Sequence, residues 1–203
     1  MEQQGVTMDY FNEGEGEAQA KFAAKRDQWF RPAVLILARI GLSPNAVSAL
    51  GVIFAILAAF LQPSFWYGAA VLLLLYILMD GLDGPLARHT NRQSQGGSLV
   101  DIFSDQVGVV IVAVASVVWV DANLPLAIAF AFLYIHVIYM MVICNSTSIG
   151  LPKIARVKYI YFLVYIICLI LESAYAVEIF HAIFGLYYLY YFFVLARKIS
   201  AKL

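Results

Sequence analysis

Apolar residues in this chain fall in long, nearly unbroken blocks rather than in the i, i+3, i+4 stripes of a soluble helix. Six blocks can be read: Pro44 to Leu61, Phe65 to Asp80 with helix continuing toward Arg88, Ser98 to Val120, Leu124 to Cys144, Ile154 to Leu171, and Ala176 to Ala196. About 18 apolar residues suffice to carry a helix across the hydrocarbon core, so each block is predicted as a transmembrane helix. Polar turns at 62–64, 121–125 and 172–178 separate neighbouring spans. Ser43-Pro44 supplies an N-cap followed by proline at the first helical position, a favourable start for the first span. The fifth block opens among Arg156 and Lys158, whose long side chains are expected to snorkel to the interface.

Ahead of the first span, residues 1–17 are polar and acidic and are predicted as a disordered cytosolic tail. The next stretch is amphipathic. Phe22, Trp29 and Phe30 can share one side, with Lys21, Lys25, Arg26 and Gln28 remaining polar. A helix of this kind lies in the headgroup layer with its basic face toward anionic lipid. The expected organisation is all-α: a tail at 1–17, a juxtamembrane amphipathic helix at 18–40, and one six-helix membrane domain at 41–203.

Composition agrees with that reading. Of 203 residues, 63% are hydrophobic and 13% charged, against about 25% charged in soluble domains. The six-span reading also sorts the charges. All thirteen Lys and Arg fall before the first span, between the second and third, between the fourth and fifth, or after the sixth. The opposite turns carry only Asp121, Glu172 and Glu178. Positive charge marks the cytoplasmic side, so both termini are expected there. Cys144 and Cys168 lie in or beside spans and read as small packing residues rather than as a disulfide or zinc pair.

The chemistry is concentrated in one cytoplasmic hairpin. An Asp at the centre of a membrane helix costs about 2.5–3.5 kcal/mol on insertion scales, so acids within spans default to function. Four occur together here, in Asp80-Gly-Leu-Asp83-Gly84-Pro-Leu-Ala87-Arg88 and Gly97-Ser-Leu-Val-Asp101-Ile-Phe-Ser-Asp105. Asp80, Asp83, Gly84 and Ala87 recur at three- and four-residue intervals and share a helix face, as do Gly97, Asp101 and Asp105 on the next helix. Facing each other, the two helices would surround one point with carboxylates that repel unless a cation joins them. Oxygen donors without His or Cys suit Mg²⁺ or Mn²⁺. Gly84 and Ala87 leave room for a base or phosphate, and Arg88 is placed to meet phosphate with a two-pronged fork.

These residues resemble the signature of the CDP-alcohol phosphatidyltransferase family, D-x2-D-G-x2-A-R-x8-G-x3-D-x3-D. Every fixed position is filled, by Asp80, Asp83, Gly84, Ala87, Arg88, Gly97, Asp101 and Asp105, with residues 89–96 as the spacer. Chance agreement at a given start is on the order of 10⁻⁹ or less from ordinary residue frequencies. The resemblance implies that Asp80, Asp83 and Asp101 ligate metal, with Asp105 near the metals and acting as general base toward the attacking hydroxyl. It implies that Gly84, Ala87, Arg88 and Gly97 line the CDP pocket, and Asn45 matches a weaker family pattern beside the nucleotide. Two Mg²⁺ or Mn²⁺ ions, a CDP-diacylglycerol donor, an alcohol acceptor, release of CMP, and a homodimer in the cell membrane also follow from it. Nucleic acid is not among the expected partners.

Other readings lie beside these. The aspartates could be helix-end carboxylates paired with Arg88 and Arg92, but that leaves the spacing and the small residues unexplained. His89 reads as a solvated flank, His136 and His181 as packing residues, and the tyrosines at 187–191 as an interfacial belt. Lys153, Arg156 and Lys158 are accounted for by cytoplasmic anchoring. The sharper reading has Lys153 and Arg156 holding a phosphate on the acceptor, which favours glycerol 3-phosphate or inositol phosphate over serine or choline. Some family members instead pair a soluble CDP-alcohol with diacylglycerol. From other classes, a cation transporter would place its acids near mid-membrane, and a non-catalytic scaffold would be indifferent to Asp105→Asn.

Overall fold

The computed structural model describes residues 16–202, with side chains from residue 23 onward. Nearly all of the tail predicted for residues 1–17 lies outside the described residues, as do the side chains of Lys21 and Phe22. Among the described residues seven α-helices follow one another: α1 (Gly16–Arg39), α2 (Pro44–Ala59), α3 (Trp66–His89), α4 (Gln95–Val120), α5 (Leu124–Ser146), α6 (Lys158–Leu171) and α7 (Tyr175–Ser200). Among the described residues there is no strand.

Local chemistry explains the boundaries. Ser43, Ser94 and Asn123 each accept a backbone N–H three residues on, from Ala46, Gly97 and Leu126, and so satisfy one orphan donor at the starts of α2, α4 and α5. α4 and α6 stop at residues in the left-handed region, Asp121 (φ 58°) and Glu172 (φ 48°). Between α5 and α6, residues 148–157 run without helix, tied down by α7: Tyr187 Oη accepts from the Ala155 N–H at 2.8 Å, and Tyr188 Oη donates to the Ala155 carbonyl at 2.7 Å. The helix of the fifth apolar block, α6, therefore begins at Lys158 rather than near Ile154. Tyr188 is fully buried, so the tyrosine run is not simply an interfacial belt, although Tyr190 is 64% exposed.

Among the described residues, four helices, α3, α4, α5 and α7, are long and apolar enough to cross a membrane. A fifth span is possible if α1 and α2, which meet at a 105° bend, count as one broken pair. α6 is apolar but only 14 residues long, about 21 Å at 1.5 Å per residue. The chain is a multi-pass membrane protein.

Packing places one large core among α2 to α7, including Tyr76, Val109, Phe130, Tyr161 and Tyr188. A ring system runs through it: Phe130 stacks on His181 at 5.2 Å and meets Tyr161 at 4.9 Å, while His181 Nε2 pairs with Tyr161 Oη at 2.9 Å. His181 is thus the packing residue expected. A smaller cluster, Val34, Val47, Leu82 and Leu86 with Phe30 and Leu37 beside it, fastens α1 to α2 and to the last turns of α3. That contact brings α1 over the end of α3 where the aspartates begin.

Candidate active site

Two helices carry the acids and three others complete the site. Asp80 and Asp83 lie on the last turns of α3, Asp101 and Asp105 on the first turns of α4. Asp80, Asp101 and Asp105 each present an oxygen within 4.8 Å of the others. Asp83 stands one step aside. It is buried, its Oδ1 accepts the Gly84 N–H at 2.6 Å, and its Oδ2 accepts the Ser48 hydroxyl of α2 at 2.6 Å. Ser48 Oγ also lies 3.3 Å from the Pro44 carbonyl, but one O–H donates once and the shorter contact to a carboxylate takes it. The carboxyl of Asp83 is in turn a neighbour of Asp101. So the expected foursome is three acids around one point, with the fourth attached through Asp101 and anchored by α2.

Lys158 was expected to snorkel outward. It does the reverse: its side chain is 6% exposed, and Nζ donates to Asp80 Oδ2 at 3.0 Å and to Asp105 Oδ1. Tyr159 also donates to Asp80 Oδ2. The physical reason is that α6 packs against α3 and α4, which places its first residue beside two acids rather than beside water. Lys153 and Arg156, by contrast, are exposed on the segment leading into α6.

On the other side of the acids, α1 roofs the small residues. A Cβ added to Gly84 would sit 2.9 Å from Arg26 Nη2 and 3.5 Å from Arg88 Nη1, so two guanidinium groups border the space its missing side chain leaves. The fork of Arg88 is closed on Asp27, with Nε at 2.8 Å and Nη2 at 2.5 Å from its two oxygens. The spacing of the motif placed Arg88 to meet a phosphate with this fork; here the fork is occupied by a carboxylate of α1. Asp27, Arg31, Val34, Pro85, Arg88 and His89 line a cavity of about 300 Å³ between α1 and the end of α3. Gly97 and Asn45 meet across α4 and α2, with Asn45 Oδ1 3.9 Å from where a Gly97 Cβ would be. Ala87 lies half-buried one turn beyond Gly84.

The donor set fits a hard divalent cation. Oxygens sharing one octahedral ion at about 2.1 Å lie about 3 to 4.2 Å apart, and the three carboxylates, with oxygens all within 4.8 Å of one another, can close to that spacing by side-chain movement alone. Carboxylates alone, without imidazole or thiolate, favour Mg²⁺ or Mn²⁺ over zinc.

Ser48, Arg26, Asp27, Lys158 and Tyr159 did not stand out in the sequence as site residues. For Lys158 a signal existed: the rule that makes an intramembrane acid functional applies equally to a lysine at the head of an apolar block. Ser48 is one of several serines along the chain and carries no comparable signal.

Comparisons with known proteins bear on this geometry. Residues 41–195 match the family model for CDP-alcohol phosphatidyltransferase. A phosphatidylinositol phosphate synthase of Cutibacterium acnes (strain DSM 16379 / KPA171202) is 40% identical over 75 residues, a match covering 36% of each chain. The matched region thus spans about a third of that relative's length. The fold is similar to the crystal structure of Mycobacterium tuberculosis phosphatidylinositol phosphate synthase (PgsA1) in complex with manganese and citrate, at a TM-score of 0.69 and 15% identity, covering 83% of this chain and 88% of that one.

Proposed function

This chain belongs to the CDP-alcohol phosphatidyltransferase family, and on that premise we propose that it moves a phosphatidyl group from CDP-diacylglycerol to a phosphorylated alcohol, releasing CMP. The observation that carries the reading is the convergence of Asp80, Asp101 and Asp105 at one point with Asp83 beside them. It occurs in residues that fill every fixed position of the family signature.

Asp80, Asp83 and Asp101 would hold the divalent cations, with Asp105 beside them. Bound there, the ions supply neutralisation of charge on the pyrophosphate and a better leaving group in CMP. The rest falls to the chain's own residues. Gly84 and Ala87 leave the face of α3 open to the nucleotide, Arg26 and Arg88 offer positive charge beside it, and Asn45 and Gly97 close the opposite edge. Asp105 takes the proton of the acceptor hydroxyl as its oxygen attacks the phosphorus distal to cytidine and CMP departs. Lys153 and Arg156, on the segment pinned by Tyr187 and Tyr188, would meet a phosphate on the acceptor. The name of the Cutibacterium acnes relative favours inositol phosphate among such acceptors.

For placement, the six-block reading supports six spans, with both termini and the site at the cytoplasmic face and α1 lying along the headgroup layer. For the short α6, the backbone of Ala155 just ahead of it is hydrogen-bonded by Tyr187 and Tyr188 of α7, as irregular backbone at membrane depth requires.

The test uses protein in lipid nanodiscs with Mg²⁺, labelled CDP-diacylglycerol and a panel of acceptors: inositol phosphate, glycerol 3-phosphate, inositol, serine and choline. Acceptor-dependent CMP release that chelation and Asp105→Asn both abolish supports the proposal. CMP release with diacylglycerol and a soluble CDP-alcohol would reverse the donor assignment. Absence of any binding of CDP compounds would refute it.

A further inference from the structure

Lys158 places a positive charge where the metal reading places another. Its ammonium bridges Asp80 and Asp105 and lies over the rings of Tyr76, at 5.3 Å, and Tyr159, at 4.7 Å. Burying an ammonium costs several kcal/mol unless it is paired, and here two carboxylates and two aromatic faces do the pairing. The binding place for the charge is built from three helices, α3, α4 and α6, with the Tyr76 ring of α3 held by its hydroxyl to the Ser104 carbonyl of α4 at 3.3 Å.

Those same two carboxylates belong to the three-acid cluster with Asp101. A cation about 2.1 Å from their oxygens would lie within about 5 Å of an ammonium about 3 Å from the same oxygens. Like charges that close repel strongly where the dielectric is low. The ammonium and a divalent ion therefore compete for Asp80 and Asp105.

We propose that Lys158 is a positioning residue that serves as an internal counter-cation, holding Asp80 and Asp105 together until a divalent ion displaces it. Metal entry and release of Lys158 are then one coupled event. The inference rests on the metal-site reading above and goes beyond it, because it assigns the metal affinity itself to a side chain that is not a ligand. The apparent dissociation constant is the intrinsic one divided by the fraction of molecules whose lysine has let go. Removing the ammonium removes that penalty.

The experiment is a Mn²⁺ titration of the full chain in nanodiscs, read by electron paramagnetic resonance of free Mn²⁺, for wild type, Lys158→Met and Asp101→Asn. A second readout uses wild type alone: amine-reactive labelling of Lys158, quantified by mass spectrometry against exposed Lys153, with and without Mn²⁺. The expected results are about tenfold or tighter Mn²⁺ binding in Lys158→Met and faster labelling of Lys158 when Mn²⁺ is bound. A structural lysine would give weaker binding on substitution, not tighter. Unchanged or weaker affinity in the methionine variant, or labelling indifferent to Mn²⁺, overturns the inference. If Lys158→Met does not fold, the labelling decides. Loss of Mn²⁺ binding in Asp101→Asn with no gain in Lys158→Met sinks only this inference, whereas wild-type binding in Asp101→Asn sinks the metal site with it.

Discussion

Ser48→Ala tests whether the buried contact from α2 to α3 tunes the site. The hydroxyl donates to Asp83 Oδ2 at 2.6 Å, and both residues are less than a tenth exposed. Alanine keeps the helix and removes one oxygen, leaving Asp83 with the Gly84 N–H as its remaining donor. A hydrogen bond to a charged group contributes about 1.5–3 kcal/mol, which is roughly a 10- to 150-fold change in an equilibrium constant at about 1.4 kcal/mol per decade. Losing an outer partner of a metal-binding carboxylate costs about 10- to 100-fold in affinity or activity, so two independent estimates agree. The assay is the Mn²⁺ titration together with the metal dependence of CMP release, both expected to shift to higher metal by about ten-fold or more. Ser116→Ala is the control, because that buried hydroxyl donates within its own helix, to the Ala113 carbonyl at 2.7 Å, and should leave metal affinity unaltered. Equal metal affinity, within about twofold, in Ser48→Ala and wild type would refute the assignment of Asp83 as a ligand held by Ser48.

Gly84→Ala should weaken CDP binding by about tenfold or more while leaving thermal stability within about 0.5 kcal/mol, because its Cβ meets the movable tip of Arg26 at 2.9 Å rather than backbone. Competition by CDP against a labelled donor measures it, and undiminished CDP affinity would place the nucleotide elsewhere. Gly108→Ala should destabilise the bundle by about 1–3 kcal/mol, since its Cβ would lie 2.6 Å from the Tyr76 hydroxyl and 2.8 Å from the ring carbon bearing it, and Tyr76 is 1% exposed. Thermal unfolding in nanodiscs reads the loss, and Tyr76→Phe in the same chain should restore part of it; no restoration would mean that the clash lies elsewhere.

Much of the architecture was legible along the chain because the bilayer imposes a one-dimensional rule: a segment that crosses must be apolar for its whole length and must satisfy its own backbone hydrogen bonds. The blocks at 44–61, 65–88, 98–120, 124–144 and 176–196 each correspond to a helix within a few residues. The motif was legible for a related reason, since helical spacing alone puts Asp80 and Asp83 on one face and Asp101 and Asp105 on another. The late start of α6 was not, because Ile154, Ala155 and Val157 continue the apolar block and the lack of helix there depends on Tyr187 and Tyr188 reaching over from α7.

What only the tertiary structure decided is which side chains from distant segments join that motif. Ser48 is 35 positions from Asp83, Asp27 is 61 from Arg88, and Lys158 is 78 from Asp80. Periodicity carries no information about such pairings, which depend on the directions in which packed helices cross. A lysine at the edge of an apolar block can reach water or an acid at similar extension. It turns inward here because α3 and α4 present two carboxylates beside the first turn of α6, and a desolvated carboxylate pair attracts an ammonium more strongly than the interface does.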